Sequence, residues 1–462
     1  MIPLAHYKGK VVVVFGLGRT GEATALALME SGATVWAWDD GEVAREKAAT
    51  KNIPLQDINT IPWQDVDRFV LSPGIHPNHP AVVAAIESRV APVADIELLF
   101  ESQPNATFIA LTGTNGKSTT TSLVGHLLQK LGHNVQIGGN IGTAVLGLHP
   151  FMKKGIYVLE ISSFQLDLLE KFRAHIAVLT NITEDHLDHH GSLGNYVAAK
   201  MKLFNNQTAE DICVVGIDSP LSAAIYEGLL SQNQQTVFPV SSGKTAPGGV
   251  FVDTGTLYDD FEQTGTAIGD VNTNKSLQGI HNHQNIAAAY AVCRSLGSAP
   301  NQILKHLDSY TGLPHRQEWV DEIKGVTFIN NTLATSPDAA SHALAAYENT
   351  YWIVGGKRKT DDFSAIVTNL GNVTKAFIIG EETTFFEELL TKHNIPHDIS
   401  KTLDIAVSAA FADAAQGEPA TVLLAPACAS YDQYDNFAQR GDSFKKIVRN
   451  LSVDTGSKSQ IG

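Results

Sequence analysis

Cysteine is scarce in this sequence. Three occur among 462 residues, at Cys213, Cys293 and Cys428, each far from the others. That spacing excludes a disulfide framework and a thiolate metal site, both of which need cysteines in a recognisable pattern. No apolar run reaches the roughly 20 residues a bilayer-spanning helix requires. No charged-then-apolar leader is visible either, so a cytoplasmic location without membrane insertion is expected. Positive charge is also in short supply: 33 Lys and Arg face 48 Asp and Glu, for a formal net charge of −15. No basic block offsets it, which argues against nucleic acid or an anionic membrane as partner. Any anionic ligand must therefore be held by local loops and single cations. What remains is 43% hydrophobic and 18% charged residues, the balance of a globular protein with ample core. The length suggests about three domains.

The most informative stretch is TFIALTGTNGKSTTTSLV, residues 107–124. Residues 108–111 are apolar and read as a buried strand, a glycine-rich turn follows, and a helix opens at Lys117 or Ser118. A strand, a glycine turn and a helix N-terminus form a phosphate cradle, because backbone N–H groups converge on the anion and the helix dipole favours it. The candidate nucleotide-binding residues are Gly113, Thr114, Asn115, Gly116, Lys117, Ser118 and Thr119. Lys117 supplies a mobile cation to the terminal phosphates and Ser118 a hydroxyl for Mg²⁺. The loop is a shorter variant of the common P-loop, with Leu111 where glycine is usual. Binding of a nucleoside triphosphate is expected.

Earlier in the chain, KVVVVF at residues 10–15 is a second buried strand followed by GLGRTG. Its glycines, Gly16, Gly18 and Gly21, lead into a helix over residues 22–29, and a strand over residues 34–38 ends at Asp39. A dinucleotide site is one reading. Any diphosphate is another, and a purely structural tight turn is a third, because this fingerprint alone is weak. A further strand at residues 69–71 ends in Ser72-Pro73-Gly74-Ile75, a turn whose amides can face a ligand. Residues 94–100 read as helix and 102–105 as a linker.

After the P-loop helix, a strand at residues 135–137 leads into Gly138-Gly139-Asn140-Ile141-Gly142. The strand at 156–159 ends in Glu160. An acid at the carboxyl end of a parallel strand beside a P-loop is well placed for Mg²⁺, though an exposed strand-end charge has the same pattern. The strand at 176–180 runs into NITEDHLDHH, residues 181–190. There His186 is the ligand candidate, and His189 and His190 read as polar surface. Residues 192–204 form an amphipathic helix whose Lys200 and Lys202 read as solvated. Residues 233–280 change to short alternating segments, a small β-rich excursion without visible chemistry. Asn282 and Asn285 then open an alanine-rich helix over residues 286–295, three apart and so able to reach one ligand. Residues 311–316 read as a domain junction. Three strand–helix units follow, with strands at 326–329, 351–354 and 421–424 and a last helix over 433–449. Each strand ends in small, polar or cationic residues, where open α/β sheets bind ligands.

GTNGKST, GGNIG, LEISSFQL, NITEDHLDHH, HNHQN, GLPHR and PACASYDQYDNFAQRGDSF occur in an order that resembles the Mur ligases. The resemblance runs along essentially the whole chain. It implies an α/β protein of three domains: a Rossmann-like UDP-sugar-binding domain (1–103), a central P-loop ATPase domain (104–312) with a mostly parallel sheet, and a C-terminal Rossmann-like α/β domain (313–462). It implies an ATP-dependent, amide-bond-forming ligase of peptidoglycan precursor synthesis, a monomer whose substrates are UDP-N-acetylmuramoyl-L-alanine and D-glutamate; the alternatives are a related ligase adding another amino acid (L-glutamate, or the L-alanine-adding step) and a non-catalytic relative. GLGRTG would then hold uridine diphosphate. By the same resemblance, two Mg²⁺ ions are expected, one on Ser118 and Glu160 and one on His186 and a carbamylated Lys200. Lys117, Glu160, His186 and Lys200 are the catalytic set. Asn282, Asn285, Arg316 and Asn331 match nucleotide positions. Arg19, Thr20, Asp39, Gly74 and Asn140 match UDP-sugar positions, and Thr335, Lys359, Ser430 and Phe437 match positions around the amino acid. One run departs from the family pattern. Where the family has Asp-Ser-Lys-Ala-Thr-Asn, this chain has Asn331-Thr332-Leu333-Ala334-Thr335-Ser336, which exchanges an acid for an amide and a lysine for leucine.

Overall fold

The computed structural model describes residues 1–277 and 279–454. Its strands form three sheets, and each grows from short runs of β-branched or aromatic residues buried on both faces. The first sheet holds β1 (Val11–Phe15), β2 (Thr34–Trp38), β3 (Arg68–Leu71) and β4 (Pro92–Val93) in the order β2-β1-β3-β4, all parallel. The second holds β5 (Thr107–Thr112), β6 (Val135–Gly139), β7 (Ile156–Glu160), β8 (Ile176–Leu179), β9 (Ile212–Gly216), β10 (Thr236–Ser242), β11 (Val250–Asp253), β12 (Thr256–Asp259) and β13 (Thr266–Asp270). Their order is β13-β12-β11-β10-β9-β8-β5-β7-β6. The third holds β14 (Glu318–Ile323), β15 (Val326–Asn330), β16 (Thr350–Gly355), β17 (Val373–Ile379), β18 (His397–Lys401) and β19 (Ala420–Leu424), ordered β14-β15-β19-β16-β17-β18.

The chain divides into two compact units. Met1–Asn274 with Ile280–Tyr310 carries the first two sheets, and Lys275–Gly279 with the chain from Thr311 onward carries the third. One apolar cluster serves both sheets of the first unit: Val12 and Val14 of β1 and Phe108 and Leu159 of the second sheet join it, with Ile96, Leu99, Val145 and Leu146 between them. The third sheet packs a core on each face, one around Trp352, Val354 and Phe386 and one around Phe328, Phe377 and Val422.

Several elements differ from expectation. The excursion over 233–280 is β-rich as expected, and what the sequence did not show is how it joins the central sheet. β10 pairs in parallel with β9 and β11 with β10, and only β12 and β13 turn antiparallel, so the segment widens the central sheet. The expected linker at 102–105 is pinned: Gln103 is buried, and its Oε1 accepts from Phe151 N (2.9 Å) and Tyr157 Oη (3.2 Å). The helix carrying Asn282 and Asn285 starts at Ile280, before both of them, so neither is its cap. The last helix spans Phe437–Asp454, because Asn436 Oδ1 accepts from Gln439 N at 2.9 Å and starts it there. In the third sheet, β14, β17 and β18 add to the three strands expected. The burial of β18 is poor, with most of its residues partly or fully exposed, so it lacks an apolar signature.

Candidate active site

The glycine-rich turn closes β5, a strand in the middle of the second sheet between β8 and β7. Gly116 has φ +79 and precedes the helix Lys117–Lys130. A side chain there would be strained by its backbone and would also strike Asn285 Oδ1, so glycine is required twice over. Lys117 Nζ folds back over the loop and donates to the carbonyls of Gly113 (3.0 Å) and Thr114 (2.8 Å). Thr114 Oγ1 lies 3.0 Å from Tyr196 Oη, and Thr183 N donates to it at 3.0 Å. Thr120 Oγ1 donates to Asn285 Oδ1 (3.0 Å), and Asn285 Nδ2 to Asn282 Oδ1 (3.0 Å). The two expected nucleotide-binding asparagines therefore stand against the first turn of the P-loop helix. Ser118 and Thr119 begin that helix, both half-buried.

Glu160 is the last residue of β7, beside β5, and only 2% exposed. Its Oε1 accepts from Asn140 Nδ2 at 2.8 Å, while Oε2 is buried without a hydrogen-bond partner. A carboxylate oxygen sealed from water and left unpaired is costly unless a cation or donor completes it. Asn140 is itself braced, because Arg19 donates to its carbonyl (3.0 Å) and to that of Gly142 (2.7 Å).

Lys200 departs from the solvated reading of a helical lysine: it is 1% exposed. Its Nζ donates to Gly113 O at 2.7 Å and sits 4.6 Å from the centre of the Tyr196 ring. Burial, and secondarily the nearby Lys117 charge, push its amine down to about 7. Such a shift favours the neutral, nucleophilic form of the amine. His186 adopts a left-handed backbone, φ 52, just before the short helix Leu187–His190. It is half exposed, with Nε2 3.5 Å from Asp185 Oδ2. His190, expected on the surface, is buried at 8% exposure. Its Nε2 lies 2.9 Å from Ser163 Oγ and its Nδ1 3.4 Å from Asp167 Oδ2. The reason is its neighbour Phe164, whose ring stacks on His190 and also packs on His189, gathering the histidines into an aromatic cluster. Among the described residues no group of three or more His, Cys, Asp or Glu is arranged to hold a metal.

In the first sheet, Asp39 spends its carboxylate on backbone: Oδ2 accepts from Leu17 N (2.6 Å) and Oδ1 from Gly41 N (2.8 Å). Ser72 Oγ donates to Gly16 O at 2.7 Å, which ties the Ser72–Gly74 turn to the first glycine loop that Thr20 follows.

In the second unit, Lys359 Nζ donates to Thr335 Oγ1 at 3.1 Å, joining two residues expected around the amino acid. Asn331 is buried, and its Oδ1 accepts from Gln317 N at 3.1 Å, whereas Arg316 is exposed. Ser430 is buried and the Phe437 side chain partly exposed. Leu333 is also partly exposed. Sequence reasoning missed Arg440, which is fully buried and donates to Thr332 Oγ1 (2.9 Å) and to the carbonyl of Cys428 (3.0 Å). Burial pulls its guanidinium down to about 10. The arginine cross-links the loops after β15 and β19, and its only signal was the cation inside an otherwise apolar and amide-rich helix start.

Residues 111–293 match the family described as Mur ligase middle domain, and residues 315–428 match Mur ligase, glutamate ligase domain. A Phenylobacterium zucineum protein named UDP-N-acetylmuramoylalanine–D-glutamate ligase is 41% identical over 464 residues, covering 98% of each chain. A Rhodospirillum rubrum protein of the same name is 42% identical, over 98% of this chain and 97% of its own. Among solved structures, a UDP-N-acetylmuramate-alanine ligase from Thermotoga maritima shares the fold at TM-score 0.57 and 18% identity, covering 96% of this chain and 99% of its own. Relatives this similar align along nearly the full length of both chains, and the chain belongs to the Mur ligase family.

Proposed function

We propose that this chain is an ATP-dependent ligase that joins D-glutamate to UDP-N-acetylmuramoyl-L-alanine through an acyl phosphate, a step of peptidoglycan precursor synthesis. The names of its relatives support the substrates, and one feature of the site carries the chemistry. A phosphate cradle, a buried carboxylate with an unpaired oxygen and a buried lysine of lowered pKa converge on Gly113 and the carboxyl ends of β5 and β7.

In the first half-reaction a carboxylate oxygen of the UDP-sugar substrate attacks the γ-phosphorus, the bond to the β–γ bridging oxygen breaks, and ADP leaves. In the second, the amine of the amino acid adds to the acyl carbon, inorganic phosphate leaves with the electron pair, and the amine loses a proton. Neither step needs a covalent enzyme residue. The protein contributes positioning and charge neutralisation. Lys117 would exchange its carbonyl contacts for the phosphates, and the backbone amides at the helix start would hold them. Ser118 and Glu160 fit one Mg²⁺, since the unpaired Glu160 Oε2 is an oxygen ligand awaiting a cation and Mg²⁺ keeps water and phosphate for its other positions. His186 and Lys200 would hold a second ion only with Lys200 as a carbamate, because an ammonium cannot ligate. The ions, when bound, would offset phosphate charge. The neutral amine needed to add CO₂, with release of one proton, is what the burial of Lys200 favours. Residues 1–103, 104–312 and 313–462 are the domains we assign to UDP-sugar, ATP and amino acid.

Phosphate release measured with UDP-N-acetylmuramoyl-L-alanine against a panel of D- and L-amino acids tests the reading, with D-glutamate expected to be required. A second reading, another amino acid as acceptor, is favoured by Leu333 at the position of the family's lysine, and the same panel decides between them. Carbamylation is read separately. A ¹³C carbamate resonance should appear with ¹³C-bicarbonate and vanish in Lys200→Arg, which should also lose activity because guanidinium forms no carbamate. Full activity in Lys200→Arg overturns that assignment.

A further inference from the structure

We propose that Asp218 is a positioning residue for the phosphate loop, acting through Gln284 and Asn181. The inference rests on reading residues 113–119 as a nucleotide cradle. Asp218 follows β9 and faces β10. Its Oδ1 accepts from Ser241 Oγ (2.5 Å), and its Oδ2 accepts from Ser242 N (2.9 Å), Ser242 Oγ (3.0 Å) and Gln284 Nε2 (2.7 Å). Gln284 Oε1 then accepts from Asn181 Nδ2 (3.1 Å), and Asn181 Oδ1 accepts from the backbone N–H of Asn115 inside the phosphate loop (2.9 Å). Asn181 Nδ2 also donates to the Asn115 carbonyl at 3.2 Å, and Thr180 Oγ1 donates to it at 2.7 Å.

The direction of this chain is set at both ends. A carboxylate only accepts and a backbone N–H only donates. Gln284 must therefore turn its NH₂ to Asp218 and its oxygen to Asn181, and Asn181 must turn its oxygen to Asn115. Either amide flipped alone would place two donors or two acceptors face to face. The widened central sheet is what makes this possible, because β10 supplies Ser241 and Ser242, which hold the carboxylate in place. The residues of the relay line one cavity of about 270 Å³ that reaches Gly116 and Asn285. With the Asn115 N–H and C=O each engaged, the two peptide units flanking Asn115 are both held, and the remaining amides of the loop stay aimed at an arriving phosphate.

Two variants of the full chain test this. Gln284→Glu removes the donor facing Asp218 and sets carboxylate against carboxylate. Asp218→Asn with Gln284→Glu removes the like-charge clash and leaves a carboxylate oxygen for Asn181, while an amide NH₂ turned to the new carboxylate gives up the bond from Ser242 N. Two readouts are taken, amide hydrogen exchange at Asn115 without nucleotide, and equilibrium binding of MgATP. Gln284→Glu is expected to speed Asn115 exchange and weaken MgATP about tenfold, the loss of roughly one well-formed hydrogen bond, and the double variant to recover part of both. Unchanged exchange at Asn115 in Gln284→Glu, or a double variant no better than the single one, overturns the relay. Wild-type protein that protects Asn115 but binds no MgATP overturns the nucleotide reading instead and leaves the relay as a purely structural clamp.

Discussion

Gly16–Gly21 and Gly113–Gly116 both follow a buried strand, and both lead into a helix of similar length, Arg19–Glu30 and Lys117–Lys130. Each helix even opens on a cation. The two cations do different things. Arg19 spends its planar fork on the carbonyls of Gly142 and Asn140, a fixed brace between the first sheet and the turn that carries Asn140. Lys117 rests on two carbonyls of its own loop, an arrangement a flexible ammonium can leave when a stronger anion arrives. The loops also differ in what surrounds them. The first is closed by the Asp39 carboxylate on Leu17 N, whereas the second is clamped at Asn115 and has Lys200 buried beneath it. The same local grammar thus yields a fixed brace in one place and a releasable cation in the other, and the distinction comes from side chains far away in sequence.

Substitutions can break that comparison. The largest effect is expected from Lys117→Ala, which removes the mobile cation. Turnover should fall a hundredfold or more, on the order of what one preorganised charge contact supplies, with the far-UV circular dichroism unchanged. Next is Gly21→Ala. The added methyl would collide with the Gly16 carbonyl oxygen, so the first loop must open. A loss of roughly 1–3 kcal/mol, as for overpacking elsewhere, should appear in denaturant unfolding. Gly18→Ala, at φ −65 with open space around the new methyl, is its control and should be nearly neutral.

Arg19→Lys sharpens the contrast between fork and point charge. A lysine has no planar fork to fix the two carbonyls in one geometry, so Asn140 should hold Glu160 less firmly, and kcat should fall about tenfold or less while MgATP binding stays as in wild type. The smallest effect concerns Asp95, buried near Arg19 with Oδ1 unpaired. Burial pushes its carboxyl up to about 7 from an ordinary 3.8. Because the folded pKa exceeds the unfolded one, the folded state binds the proton more tightly. That contribution is complete below the unfolded pKa and lost as pH rises through 7. Asp95→Asn, neutral throughout, should therefore gain in Tm over wild type between pH 5 and 8, by roughly a few degrees in calorimetry.

Much of the fold was legible because its signals are local. The strand Thr34–Trp38 falls where its alternation ends, and the P-loop helix starts at Lys117 because the glycine before it can take φ +79. Helix starts set by side-chain contacts were displaced: the stretch before Phe437 reads as helix until Asn436 is seen capping Gln439. His190 was misread for a related cause. A histidine in a polar run looks exposed, and only the packing of Phe164 across three ring systems buries it.

Sequence alone determined the strand–glycine–lysine–helix unit, the acid at the end of β7 and the order of motifs along the chain, since each depends on residues within one turn or one strand of each other. Tertiary structure decided which of these groups are buried, unpaired or held in one orientation. Glu160 Oε2 is unpaired because β7 lies beside β5 and excludes water from it. The Lys200 pKa is lowered because a helix some 80 residues after the P-loop buries the amine under Gly113, with Lys117 close by. The amides of Gln284 and Asn181 are oriented because a carboxylate after β9, held by two serines of β10, meets Gln284 at one end and the Asn115 N–H meets Asn181 at the other. Desolvation and hydrogen-bond direction are properties of the packed neighbourhood, and no window of sequence contains that neighbourhood.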